Sequence, residues 1–92
     1  MLTIILFGSG WDGDVWDLES YSRVIKAPNL TFRHLESRGG VPVFEDAEFE
    51  VFEYQLDDEI YLVGIHGERP DEALVKQAIT LGLRRPRPYK TL

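Results

Sequence analysis

The sequence predicts an α+β domain: a small, mostly antiparallel sheet of four or five strands with one C-terminal helix packed on it. Three observations predict this class. Short β-branched and aromatic runs, Thr3 to Phe7 and Ile60 to Ile65 above all, are closed by glycine or acidic turn residues. One stretch near the C-terminus places apolar residues at helical spacing between a start signal and a stop signal. The 92 residues, 43% hydrophobic and 12% aromatic, suffice for one core and leave no room for a second.

The first strand, TIILF, runs into IILFGSGWDG, where Gly8, Gly10 and Gly13 have the spacing G-x-G-x-x-G. A dinucleotide loop needs small residues between its glycines so that backbone N–H groups can approach a pyrophosphate. Trp11 and Asp12 instead place bulk and negative charge there, and no clear helix follows. The motif therefore reads as the turn between the first two strands, with glycine supplying positive φ cheaply. From Asp14 to Ala27 two readings compete. Val15, Leu18, Tyr21 and Ile25 fit helical spacing with Asp14 as N-cap, whereas Trp16, Tyr21, Val24 and Ile25 prefer strands. Composition favours two short strands, around 13–18 and 22–27. Residues 28–47, with Gly39, Gly40 and Pro42, read as an irregular excursion that Leu30, Phe32 and Leu35 could anchor.

The stretch FEVFEYQLDDEIYLVGIHG reads as a hairpin turning at Asp57–Asp58. Phe49 and Val51 alternate with glutamates, and so do Tyr54 and Leu56, but the two sets are one residue out of phase. Keeping both sets inward requires a bulge near Val51–Phe52. Ile60 to Ile65 is almost wholly apolar, as suits a central strand covered on both faces. In the helix that follows, Pro70 sits in the first turn and Asp71 and Glu72 complement the dipole. Leu74, Ala78 and Leu81 recur on one face with Val75 beside them, and should pack on Ile60 to Ile65. Gly82 is read as a left-handed stop, with Leu83 packing back over the last turn. The domain is thus drawn as residues 1–83, with 84–92 a basic, proline-containing tail.

Chemistry is sparse. There is no cysteine, hence neither disulfide nor thiolate metal site. Asp12, Asp14, Asp17 and Glu19 suggest a calcium loop, but Trp16, Asp17 and Arg23 occupy its fifth, sixth and twelfth positions, so the stretch reads as a solvated acidic turn. His34 and His66 stand without metal-ligand spacing, and no serine lies in a nucleophile context. The expectation is a non-enzymatic protein with no cofactor and no metal. No signal peptide and no membrane span is evident, so the default placement is the cytoplasm.

Two surfaces are candidates for protein binding. Trp11 and Trp16 flank the acidic turn residues Asp12 and Asp14, and tryptophan is enriched at binding hot spots, though either indole could instead cover the end of a small core. Glu48, Glu50 and Glu53 form the other: with the bulge they share one face as a row of carboxylates, which could imitate nucleic acid or simply guard a sheet edge. The net charge of −6 argues against broad nucleic-acid binding. Arg84, Arg85, Arg87 and Lys90 nevertheless form a cationic strip that could touch phosphates, with Tyr89 stacking on a base. It could equally fold back onto the acids at 45–59.

At FGSGWDGDV, RVIKAP and VFEYQLDDEIYLVGIHG the chain resembles a loose group of small actinobacterial-phage proteins. Gly10-Trp11-Asp12-Gly13 matches the turn of that group, and Tyr54, Leu56, Asp57 and Tyr61 match its later hairpin. The resemblance implies a phage accessory protein acting on a host protein, in the host cytoplasm, and strands rather than a helix in 13–27. It carries no activity. A structural, self-assembling phage component is the alternative, and nucleic-acid contact through the C-terminal strip a further one.

Overall fold

A computed structural model describes residues 2–30, 46–82 and 84–92. Strands β1 (Leu2–Gly8) and β2 (Trp11–Leu18) form a hairpin around Ser9–Gly10. Gly8, Ser9 and Gly10 all have positive φ, at 97°, 49° and 88°, which explains the glycine content of this turn. Gly8 has a second constraint, because a Cβ there would meet the His66 carbonyl oxygen. Gly13 is not part of the turn. Leu6 lies opposite Asp14 and Phe7 opposite Asp12, so Gly13 (φ 86°) is the extra residue of a bulge in β2.

The ambiguous stretch resolves as strands: β2 ends at Leu18 and β3 spans Val24–Pro28. Strand β4 (Asp46–Leu56) then turns through Asp57, at φ 56°, into β5 (Glu59–Ile65). Helix α1 (Glu72–Leu81) follows, and the chain closes with the short β6 (Lys90–Thr91). The order is β2-β1-β5-β4-β3, with β6 pairing the start of β5. The α+β class holds, but among the described residues the sheet has six strands rather than four or five. It is also mixed, since β1 and β5 run parallel. Strands so distant in sequence leave no local sign of their relative direction.

The expected bulge near Val51–Phe52 is absent. The β4–β5 register runs unbroken from Glu50 opposite Ile65 to Leu56 opposite Glu59. The phase slip has another cause: β4 serves two cores. Ala47, Phe49 and Val51 join Ile4, Leu6, Ile25, Ala27 and Leu62 on one face. Phe52, Tyr54 and Leu56 pack on the other face, with Ile5, Phe7, Tyr61, Val63 and the helix. Each half of the strand obeys the two-residue period toward its own core. Strand β5 has the central position expected of its apolar run, with Leu62 and Val63 buried on opposite faces.

The sheet curls around the first core. The Trp11 indole Nε1 donates to the Pro28 carbonyl at 2.8 Å, and Leu30 N donates to Ser9 O at 2.8 Å. These bonds tie β2 to the end of β3, the two outermost strands of the sheet order.

The helix packs on the second core with Val75 and the half-buried Ala78 against it as expected, but with Leu74 and Leu81 turned away. Val75 and Ile79 are buried, whereas Leu74 is 46% and Leu81 78% exposed. Both stripes satisfy three-to-four spacing, and the β-branched pair faces the sheet. Gly82 is extended (φ −65°, ψ 155°) and is no left-handed cap; glycine is required because a Cβ would lie 2.6 Å from the Ala78 carbonyl oxygen. The packing expected of Leu83, and most of the 28–47 excursion with Phe32, His34 and Leu35, lie outside the described residues; Leu30 is half-buried.

Residues 84–92 join the sheet instead of forming an appended tail. Arg87 N donates to Thr3 Oγ1 at 2.7 Å, and that hydroxyl donates back to Arg87 O at 3.1 Å. Tyr89 N bonds Ile60 O, Leu92 N bonds Asp58 O, and Pro86 is buried.

Candidate protein-binding surface

The tryptophans face inward. Trp11 and Trp16 are half-buried against the first core, edge to face with centroids 5.5 Å apart. With its one N–H donated to Pro28, Trp11 closes the end of the core. Asp12 and Asp14 are exposed, and among the described residues neither forms an ion pair.

The row of glutamates does not form. With no bulge, Glu53 points to the face opposite Glu48 and Glu50, because side chains alternate along an unbroken strand. Glu53 pairs instead with Lys90 at 3.1 Å. Lys26 stands directly across the ladder from Glu48, so that carboxylate has a cation beside it, whereas Glu50 lies opposite Val24. His66, at the tip after β5, holds its Nδ1 2.9 Å from the Glu48 carbonyl oxygen.

The cationic strip is partly spent within the fold. Arg84 pairs with Asp17, and Lys90 with Glu53, the latter matching the fold-back reading. Tyr89 is half-buried and stacks on Tyr21 at 5.5 Å, so its ring is not a free platform for a base. The Lys90 ammonium is raised above its ordinary pKa by its bond to Glu53 and by that carboxylate's charge. Arg85 and Arg87 keep exposed side chains.

Sequence reasoning missed a groove between α1 and β2. Two adjoining hollows, about 250 and 330 Å³, share Asp12, Ala78 and Gly82. The first is walled by Phe7, Leu74, Gln77 and Leu81, and the second by Gly13, Asp14, Val15 and Arg84. The Gly13 bulge builds it. The extra residue turns Asp12 to the side of Phe7 and the helix, and a Cβ at Gly13 would lie 2.9 Å from that of Ala78. Helical spacing with Ala78 places Leu74 and Leu81 in the core; the competing pair Val75 and Ile79 is the signal in the sequence that they flank it.

A further cleft of about 360 Å³ lies between β4 and the start of α1. There the Arg69 guanidinium lies 4.5 Å from the Phe52 ring centroid, and Tyr54 Oη donates to Glu72 at 3.4 Å. Burial, then the Glu72 charge and this bond, raise the Tyr54 phenol above its ordinary pKa.

No protein-family model, curated protein or solved structure matches the chain. No helix among the described residues is long and apolar enough to cross a membrane.

Proposed function

We propose that this chain is a small non-catalytic binding protein, a phage-type accessory protein whose partner is a host protein in the host cytoplasm. One observation carries the reading. Leu74 and Leu81 remain exposed on a helix already anchored by Val75 and Ile79, next to Asp12, an exposed carboxylate with no ion pair among the described residues. Apolar side chains with charges at their rim are the usual make-up of a protein contact. Of the acidic surface expected from sequence this reading keeps Asp12, while Trp11 and Trp16 pack against the first core. The same leucines would also serve a self-assembling component, the second reading.

Capture from a bacterial lysate on immobilised protein tests the proposal, with Leu81→Glu and Trp11→Ala run in parallel. A retained protein lost with Leu81→Glu, at unchanged Tm, supports it. Trp11→Ala should lower Tm, as befits a core cover. Identical capture by wild type and Leu81→Glu would remove this surface from the proposal, and a concentration-independent oligomer in solution would favour self-assembly.

A further inference from the structure

We infer that the groove holding residues 84–92 in one copy takes the same segment from a second copy, giving a reciprocal, two-fold exchanged dimer. The groove specifies its occupant in three ways. The buried Thr3 hydroxyl bonds Arg87 at both N and O, while the Ile60 and Asp58 carbonyls accept from Tyr89 N at 2.6 Å and Leu92 N at 2.7 Å. Pro86 is buried, and the Tyr89 ring packs on the first core and stacks on Tyr21. At the ends, Arg84 pairs with Asp17 and Lys90 with Glu53. Register, shape and charge are therefore set for one extended sequence, RRPRPYKTL.

A second copy offers that sequence on terms close to the first. From Arg87 onward these partners come from β1, β4, β5 and the residues that follow β2, not from the helix that the segment leaves. Exchange of an identical element hence restores every contact that release breaks. Charge supports association between copies: residues 84–92 contain four cations and no acid, so all sixteen acidic residues lie in the body that receives them. Pro86 and Pro88 fix two φ angles, so a released segment stays near-extended and loses less entropy on docking again. What holds the monomer closed is tethering. A groove sees its own segment at an effective concentration on the order of mM, so exchange sets in as the protein approaches that level. None of this uses Leu74, Leu81 or Asp12, so exchange and lysate capture fail independently.

The chain has no cysteine, so single thiols report exchange cleanly. Full-length Glu53→Cys and Lys90→Cys chains, both altered at exposed positions, are mixed at about 1 mM, warmed to just below Tm, cooled and oxidised. Each chain then has one thiol, so any 53–90 disulfide joins two copies. Its expected yield is at least about tenfold above that of Glu48→Cys mixed with Lys90→Cys, since Glu48 lies on the face of β4 opposite Glu53. The excess should persist when both chains also carry Leu81→Glu. Sedimentation of the wild-type chain after the same treatment should show a dimer. Equal yields from positions 48 and 53 would reduce the disulfide to chance collision and overturn the inference. A dimer abolished by Leu81→Glu would place the contact on α1 and overturn it too, as would a wild-type chain that stays monomeric after treatment at about 1 mM.

Discussion

Gly13 and Gly67 have nearly the same backbone, φ 86° and 89°, in different surroundings. A Cβ at Gly67 meets nothing, whereas one at Gly13 crowds Ala78 and the Phe7 ring. Gly67→Ala should therefore cost about 1 kcal/mol, the conformational term alone. Gly13→Ala should cost about 2–4 kcal/mol, because overpacking is added to strain. Urea midpoints at constant m-value check both. Asp12→Asn should be almost silent for stability, since Asp12 is exposed and has no ion pair among the described residues. Titration offers a second test. Burial first, and then the Glu59 charge, raise Tyr61 above its ordinary value of 10.0; Tyr54 and Lys90 are raised as well. A group whose folded pKa is raised contributes fully below its unfolded pKa, and its contribution is lost as pH rises through the folded value. All three act with the same sign, so stability should fall as pH climbs beyond about 10. Tyr61→Phe should shallow that decline in Tm against pH.

At the scale of elements, the helix phase is the sharpest test. Ile79→Ala should cost about 2–4 kcal/mol by leaving a cavity in the second core. Leu81→Ser should change stability by no more than about 0.5 kcal/mol. Ala78→Leu should lower stability by about 1–3 kcal/mol, because Ala78 lies against the Gly13 bulge where a larger side chain does not fit. Equal effects at 79 and 81 in thermal melts would contradict the observed face. The turns were legible in the sequence because Gly8, Gly10 and the Asp57–Asp58 pair have local conformational reasons to be there. The apolar run of β5 marked the centre of the sheet for an equally local reason, its burial on both faces. The phase slip in β4 was visible and misassigned, since a bulge and a change of buried face leave the same pattern of letters. Only the position of the helix decides between them, and that is not a local property. The row Glu48, Glu50 and Glu53 fell with the bulge it required. The groove was illegible for a related reason: it depends on which of two stripes faces inward and on a bulge opposite it.

For the whole molecule, residues 84–92 matter more than their composition suggests. The reading of this segment as a removable tail predicts an intact fold after its deletion. The buried Pro86, the two-way bond between Thr3 and Arg87 and the pairing of β6 with β5 predict otherwise. Truncation after Leu83 should lower Tm markedly and expose apolar surface, measurable as dye binding. An unchanged melt would mean that these contacts add nothing net. The strand that serves both cores has a consequence of its own. Phe49 and Phe52 are three residues apart on one continuous backbone, yet they belong to opposite sides of the sheet. Neither side can open far without disturbing the ladder that holds the other. Amide hydrogens at 49 and 52 should thus exchange with solvent through a common opening, with the same sensitivity to denaturant. A small protein with two apolar layers would then melt in a single step, because one strand belongs to both.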